Sequence, residues 1–176
     1  MDIETLVKLT SRAWSLSILA QMDRGVPGRQ AALMSATGAG RTAFRQSLDH
    51  LIDLGLIERN PGHGHPLRPE FRLTAQGEEI ARIANRVEAL AKQPSDQSLL
   101  RRAWSLPVLS VAREPLYFGE IKSRLLPITD RALSQSLKLL ETHRWLQRDV
   151  ETLARPLRAR YQAANAGAQI SRAIGS

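Results

Sequence analysis

Two histidines, His63 and His65, stand two residues apart in Pro61-Gly62-His63-Gly64-His65-Pro66 and invite a metal reading. A zinc site asks for three or four ligands, chiefly Cys, His or a carboxylate. The chain has no Cys and places no Asp near the pair, so no metal and no other cofactor is expected. The imidazoles are better suited to contacting a binding partner or solvent, with some pH dependence. Gly38-Ala39-Gly40-Arg41-Thr42 hints at a phosphate loop, but such a loop needs Gly-x-x-x-x-Gly-Lys-Ser/Thr after a strand. Position 35 is Ser, position 41 is Arg, and the preceding pattern is helical, so these glycines read as a turn. Ser, His and Asp occur without a motif that frames a nucleophile, and an enzyme is not expected. Hydrogen-bonding chemistry remains. Arg41, Thr42, Arg45, Gln46 and Asp49 fall outside the face shared by Phe44, Leu48, Leu51 and Ile52. Arg pairs two hydrogen bonds with guanine and Gln with adenine, each worth about 1–3 kcal/mol of discrimination.

The elements that must position these residues occur twice. Ala13-Trp14-Ser15-Leu16 returns as Ala103-Trp104-Ser105-Leu106, in a chain with only three Trp. A rare residue repeated inside one tetrapeptide marks an internal duplication. The apolar spacing predicts a short helix over 3–11, a second over 13–22 and a third from about 29 to 35. The helix carrying Phe44 follows and ends at Gly55, a C′ glycine. Leu56–Arg59 reads as a strand, Asn60–Pro66 as a loop, and Glu70–Leu73 as a returning strand. Thr74 caps a helix whose seam is Ile80, Ile83, Val87 and Leu90. Lys92-Gln93-Pro94-Ser95-Asp96 reads as a linker. The second copy retells this order, with Thr129 as a cap and Leu133 and Leu137 facing inward. Two units, 1–92 and 97–176, are therefore expected. The repeated Trp and its aliphatic neighbours are expected in the core, behind the polar helix.

The formal charge is +8 and the sequence pI about 10.9, with Arg dominant among the basic residues. Residues 1–92 carry 12 basic and 10 acidic side chains, and residues 93–176 carry 13 and 7, net +2 and net +6. A basic balance without an apolar anchor points to nucleic acid, although such a surface can also be simply well solvated. No apolar run approaches the roughly 20 residues of a membrane helix. The acidic start, Met1-Asp2-Ile3-Glu4, lacks a signal-peptide pattern, so the expected place is the cytoplasm, associated with the nucleoid.

Helix, helix, turn, helix, β-hairpin, helix is the order of a winged helix-turn-helix. The wording resembles the HxlR-type bacterial transcription regulators of the wider MarR/ArsR-like group. Trp14–Leu19 and Trp104–Leu109 match the family's Trp-Ser/Thr-x-x-Ile/Val-Leu segment. Phe118-Gly119-Glu120-Ile121 matches its aromatic-x-Glu-Leu/Ile helix start, whereas Pro27–Ala31 does not. Leu51–Arg59 matches Leu-x-x-Leu-Gly-Leu-Ile/Val-x-Arg, and Phe71–Gly77 matches aromatic-x-Leu-Thr-x-x-Gly. The second copy keeps only parts of these last two. The resemblance implies a mainly α fold with small β-hairpin wings, built as two tandem units forming a pseudo-dimer. It implies double-stranded DNA as partner and a homodimer in ordinary family members. The Cys through which many relatives sense oxidants is missing, so that mechanism does not carry over, and no effector is indicated.

By the same resemblance the third helix of each motif enters the major groove. The expected DNA-binding residues are Arg41, Thr42, Arg45 and Gln46 in the first copy. In the second they are Asp130, Arg131, Ser134, Gln135 and Lys138. Arg59, Arg68, Arg155 and Arg158 of the wings suit phosphate or a narrow minor groove. The two reading faces share Gln46 and Gln135 but otherwise differ, so the half-sites need not be identical. A rival reading is a tandem winged-helix protein-interaction module of a chromosome-segregation or nucleoid complex; the basic wings favour DNA. The DNA reading predicts two half-sites centred about 10–10.5 base pairs apart. Footprinting on a selected duplex measures that spacing, and a single protected half-site would refute it.

Overall fold

The computed structural model describes residues 1–175 apart from Ala154, with the backbone alone at positions 63 and 64. The chain forms two compact units. One is Leu9–Ala89; the other joins Met1–Lys8 to Leu90–Ser176. Helix α1 (Ile3–Thr10) crosses the first boundary, and the Met1 ammonium donates to the Ile174 carbonyl at 3.3 Å. The first eight residues thus group with the second half of the chain, not with the residues that follow them.

The first unit runs α2 (Ser15–Asp23), α3 (Gln30–Thr37), α4 (Arg41–Asp53), β1 (Ile57–His65), β2 (Arg68–Leu73) and α5 (Ala75–Leu90). Leu16, Ile18, Leu19, Leu33, Phe44 and Leu51 are buried in this unit, and α5 buries one face as well. That face is wider than a narrow seam. Ala81, Ala84 and Glu88 are buried with Ile80, Ile83 and Val87, whereas Leu90 is only half-buried. The buried Glu88 carboxylate lies 3.1 Å from the Arg24 guanidinium, and Asn85 donates to Asp23 at 2.7 Å. A buried carboxylate needs such a partner, because a charge removed from water without one is strongly disfavoured. These polar contacts tie α5 to the end of α2.

The second unit holds α6 (Pro94–Leu100), α7 (Ser105–Val111), β3 (Leu116–Tyr117), α8 (Phe118–Arg124), α9 (Asp130–Thr142), β4 (Leu146–Glu151), β5 (Arg158–Ala163) and α10 (Asn165–Ile174). Pro94-Ser95-Asp96, expected as linker, is the first turn of α6. Pro94 suits that turn because its missing N–H has no helical partner there, and Asp96 accepts from the Gln93 N–H at 3.2 Å. α7 has 7 residues where α2 has 9, so the copies lose register in the turn before α8 as well as between the paired helices.

The repeated Trp does not belong to the fully buried core. Trp14 and Trp104 are half-buried, and each stands at the N-cap of its helix in the same conformation, φ −104°, ψ −1° and φ −103°, ψ −2°. Ser15-Leu16 and Ser105-Leu106 are the buried pairs. The Trp14 N–H donates to Ser47 Oγ at 3.3 Å, which fixes the start of α2 on α4.

The first wing also departs from expectation. β1 continues through Asn60–His65, which had the composition of a loop. It pairs antiparallel with β2, with a register shift between Arg59 and Gly64. Pro61 and Gly62 (φ +74°) sit in that irregularity, where a hairpin tolerates a missing N–H and a left-handed residue. In the second unit β5 lies between β3 and β4. The first unit keeps only a bridge, Arg29 with Glu70, in place of β3.

One close approach recurs. A Cβ on Gly77 would lie 1.9 Å from the Leu56 carbonyl oxygen, and one on Gly167 would lie 2.0 Å from that of Trp145. The Leu56 oxygen accepts from Thr74 N–H and that of Trp145 from Ala164 N–H, so each wing closes on the residue before its first strand. Gly55, at φ +70°, leads into the first closure, and Arg144, at φ +58°, leads into the second. Thr74 Oγ1 donates to the Gly55 carbonyl at 2.7 Å; Asn165 Nδ2 does the same for Arg144 at 2.8 Å. Gly77→Ala is expected to cost about 3 kcal/mol, because the clash is with backbone. Gly55→Ala meets open space and costs only the left-handed penalty of about 1–2 kcal/mol. Urea denaturation compares the two, and the reverse ranking would refute the close approach.

Candidate nucleic-acid interface

In the first unit Gly38, at φ +72°, ends α3 with its N–H on the Met34 carbonyl, and Ala39-Gly40 leads directly into α4. Phe44, Ser47, Leu48 and Leu51 bury one side of α4. Arg41, Thr42, Arg45, Gln46 and Asp49 are all exposed on its other positions. Ile52, expected inward, is 36% exposed. Arg45 Nε lies 3.8 Å from Asp49 Oδ2, and both side chains are largely exposed. Such a pair contributes about 0.5 kcal/mol and yields readily to another anion. Arg41 has no side-chain partner among the described residues.

α9 repeats this presentation with different letters. Leu133, Leu137 and Leu140 are buried, and Asp130, Arg131, Ser134, Gln135 and Lys138 are exposed. Thr129 caps the helix, its Oγ1 accepting from the Ala132 N–H at 3.2 Å; Gly40 offers α4 no such side chain. Asp130 is held at 2.7 Å by Lys122 of α8. It therefore presents a partly neutralised carboxylate where α4 presents a free guanidinium.

The wing arginines divide by what they already hold. Arg59 Nη2 donates to the Pro66 carbonyl at 3.1 Å and so braces its own hairpin. Arg155 Nη1 donates to the Thr152 carbonyl at 3.3 Å. Arg158 lies over the Tyr117 ring, 5.9 Å from its centroid, and Arg160 lies 5.2 Å from it. Arg160 also pairs with Glu151, and the Tyr117 hydroxyl donates to the same carboxylate at 2.9 Å. Hydrogen bonding to Tyr117, then the charge of Glu151, holds Arg160 above its ordinary pKa. Arg68 is exposed and has no side-chain partner among the described residues. His65 Nδ1 accepts from the Leu67 N–H at 3.2 Å and so shapes the turn of the wing. The side chain of His63 lies outside the described residues.

Arg41, Arg45 and Arg68 come together. With Arg29 they line a cleft of about 680 Å³ beside α3, α4 and the wing, whose lining also includes Met34 and Leu67. Thr42 and Gln46 lie elsewhere on α4, and Arg59 is not among the lining residues. Sequence patterns do not single out Arg29: it precedes α3, outside any periodic face. The bridge from Arg29 to Glu70 carries it to the wing.

A two-helix motif, with its second helix turned outward beside a β-hairpin, is a winged helix-turn-helix, and this chain contains it twice. The model of the HxlR-like helix-turn-helix family matches residues 9–98 and again 99–176, and the chain belongs to that family. No curated protein and no solved structure matches it. The cap at the start of α9 has a measurable weight. Thr129→Ala is expected to destabilise the second unit by about 1 kcal/mol. Thr129→Ser should restore most of the loss in thermal melts, and equal losses for both would show that the hydroxyl does not cap.

Proposed function

We propose that this protein is a sequence-specific transcription regulator that binds double-stranded DNA through both of its winged units. The winged units that lie within residues 1–92 and 97–176 serve as the two functional halves, so one chain supplies the pair of reading helices that family members obtain by dimerising. The observation that carries this reading is the matched presentation of α4 and α9. In each helix the apolar residues are buried, and all five polar positions of the reading face are exposed at the outer end of a helix-turn-helix. Membership of a helix-turn-helix family supports the same conclusion.

Arg41, Thr42, Arg45 and Gln46 read one half-site, and Asp130, Arg131, Ser134, Gln135 and Lys138 read the other. Arg contributes paired bonds to guanine, Gln to adenine, and an acidic residue accepts from cytosine. The wing residues Arg59, Arg68, Arg155 and Arg158 face the sugar–phosphate backbone, which sets register and carries little sequence information. The protein binds its target without chemical change and works in the cytoplasm, at the nucleoid. No described helix is long and apolar enough to cross a membrane.

Selection from a random duplex library tests the reading, and enrichment of a defined motif is the expected result. Arg45→Ala and Arg131→Ala each then lower affinity for the selected duplex by about 1–3 kcal/mol. Affinity for mixed-sequence DNA changes far less. If no motif enriches, or if both variants bind the selected duplex like the parent, the proposal is wrong.

A further inference from the structure

The duplication contains one cleft twice and lines it differently. In the first unit the lining includes Arg29, Arg41, Arg45 and Arg68 and, among the described residues, no carboxylate. The second unit's cleft, of about 450 Å³, is lined by Tyr117, Phe118, Glu120, Leu157 and Arg158. The two places correspond. Gly28 meets Phe71 through the Phe71 N–H, and Leu116 pairs with Tyr161 in the equivalent position. The next residues, Arg29 and Tyr117, are therefore counterparts. Leu67-Arg68 and Leu157-Arg158 stand at the same point of the two wings. On the reading helices Arg41 becomes Asp130 and Arg45 becomes Ser134.

Of four arginines, one survives in the second cleft. The cations around it are already engaged. Arg158 and Arg160 lie over Tyr117, Arg160 is paired with Glu151, and Lys122 is paired with Asp130. A paired cation must give up its carboxylate before it can neutralise a phosphate. Net charge alone points the other way, since residues 93–176 carry +6 and residues 1–92 only +2. What matters for a phosphodiester is the number of free guanidinium groups converging on one cleft: Arg29, Arg41 and Arg68 have no side-chain partner among the described residues and Arg45 holds only its exposed pair with Asp49, so there the first unit leads.

Resting on the DNA-binding reading above, we propose that the first unit's cleft grips the DNA backbone through Arg29 and Arg68, beside the base-reading Arg41 and Arg45. The second unit lacks this grip. The chain binds duplex with unequal arms and takes one direction along it, unlike a symmetric dimer. The test measures fluorescence anisotropy on a mixed-sequence duplex of about 30 base pairs, some three helical turns. Salt is varied from about 50 to 200 mM, over which each phosphate contact adds about 0.9 to the log–log slope.

Arg29→Ala and Arg68→Ala are each expected to reduce the slope by about 0.9, with a several-fold loss of affinity near 0.1 M salt. Arg68→Lys keeps the slope because it keeps the charge. Arg158→Ala, at the equivalent wing position, is expected to lose clearly less slope and affinity than Arg68→Ala, because its guanidinium already lies over Tyr117. All three arginines are exposed, and thermal melts confirm that the variants remain folded. An Arg158→Ala loss equal to that of Arg68→Ala overturns the proposal, as does the absence of any loss in Arg29→Ala and Arg68→Ala. If the parent chain shows no salt-dependent binding at all, the DNA-binding reading falls with it.

Discussion

Each unit depends on the approach of a glycine to a carbonyl. Gly77 lies against the Leu56 oxygen and Gly167 against that of Trp145, at distances where no side chain fits. The contact joins the start of the last helix to the residue before the wing. It therefore fixes the direction in which the hairpin leaves the core and the side on which α5 or α10 returns. Helix α4 or α9 precedes the same junction, so its outward face, the wing and the closing helix are set by one constraint. The residues around the junction have changed between copies. Thr74 gives way to Ala164, and Gly55 to Arg144, with Asn165 taking over the bond to the preceding carbonyl. The glycine has not changed, because a hydrogen bond can be supplied by another side chain and a missing Cβ cannot.

Duplication frees two halves from the identity that a homodimer imposes. In a symmetric dimer every substitution on the reading helix appears in both half-sites. Here Arg41 and Asp130 occupy equivalent places with opposite charge, and Arg45 and Ser134 differ in reach and hydrogen-bonding capacity. The buried positions diverge much less: Phe44, Leu48 and Leu51 answer to Leu133, Leu137 and Leu140. Packing limits the core to apolar residues of similar volume. The exposed positions carry no such limit, and there the two copies are free to differ.

Electrostatics in the two halves shows why residue counts mislead. The second half has more basic residues, but several are spent on Glu151, Asp130 or the face of Tyr117. In the first half a smaller surplus converges on one cleft. An ion pair within the protein removes a cation from the field that a phosphate would meet, and stacking on a ring fixes its position. Which arginines are free is a property of folded neighbours, not of composition.

The linear sequence by itself determined the duplication, the order of helices and hairpin, and the exposed faces of α4 and α9. These follow from local periodicity, capping residues and a rare repeated word, each legible within a few residues. It also contained the family likeness that residues 9–98 and 99–176 bear out. Tertiary structure alone decided that Met1–Lys8 groups with the second half, that Trp14 and Trp104 stand half-buried at helix caps, and that β1 runs through Pro61. It alone brought Arg29 to Arg68, and it alone tied Arg160 to Glu151. The physical reason is range. Periodicity reports which side of an element is apolar, but pairing of charges and closure of a cleft depend on residues distant in sequence, whose meeting no local pattern records.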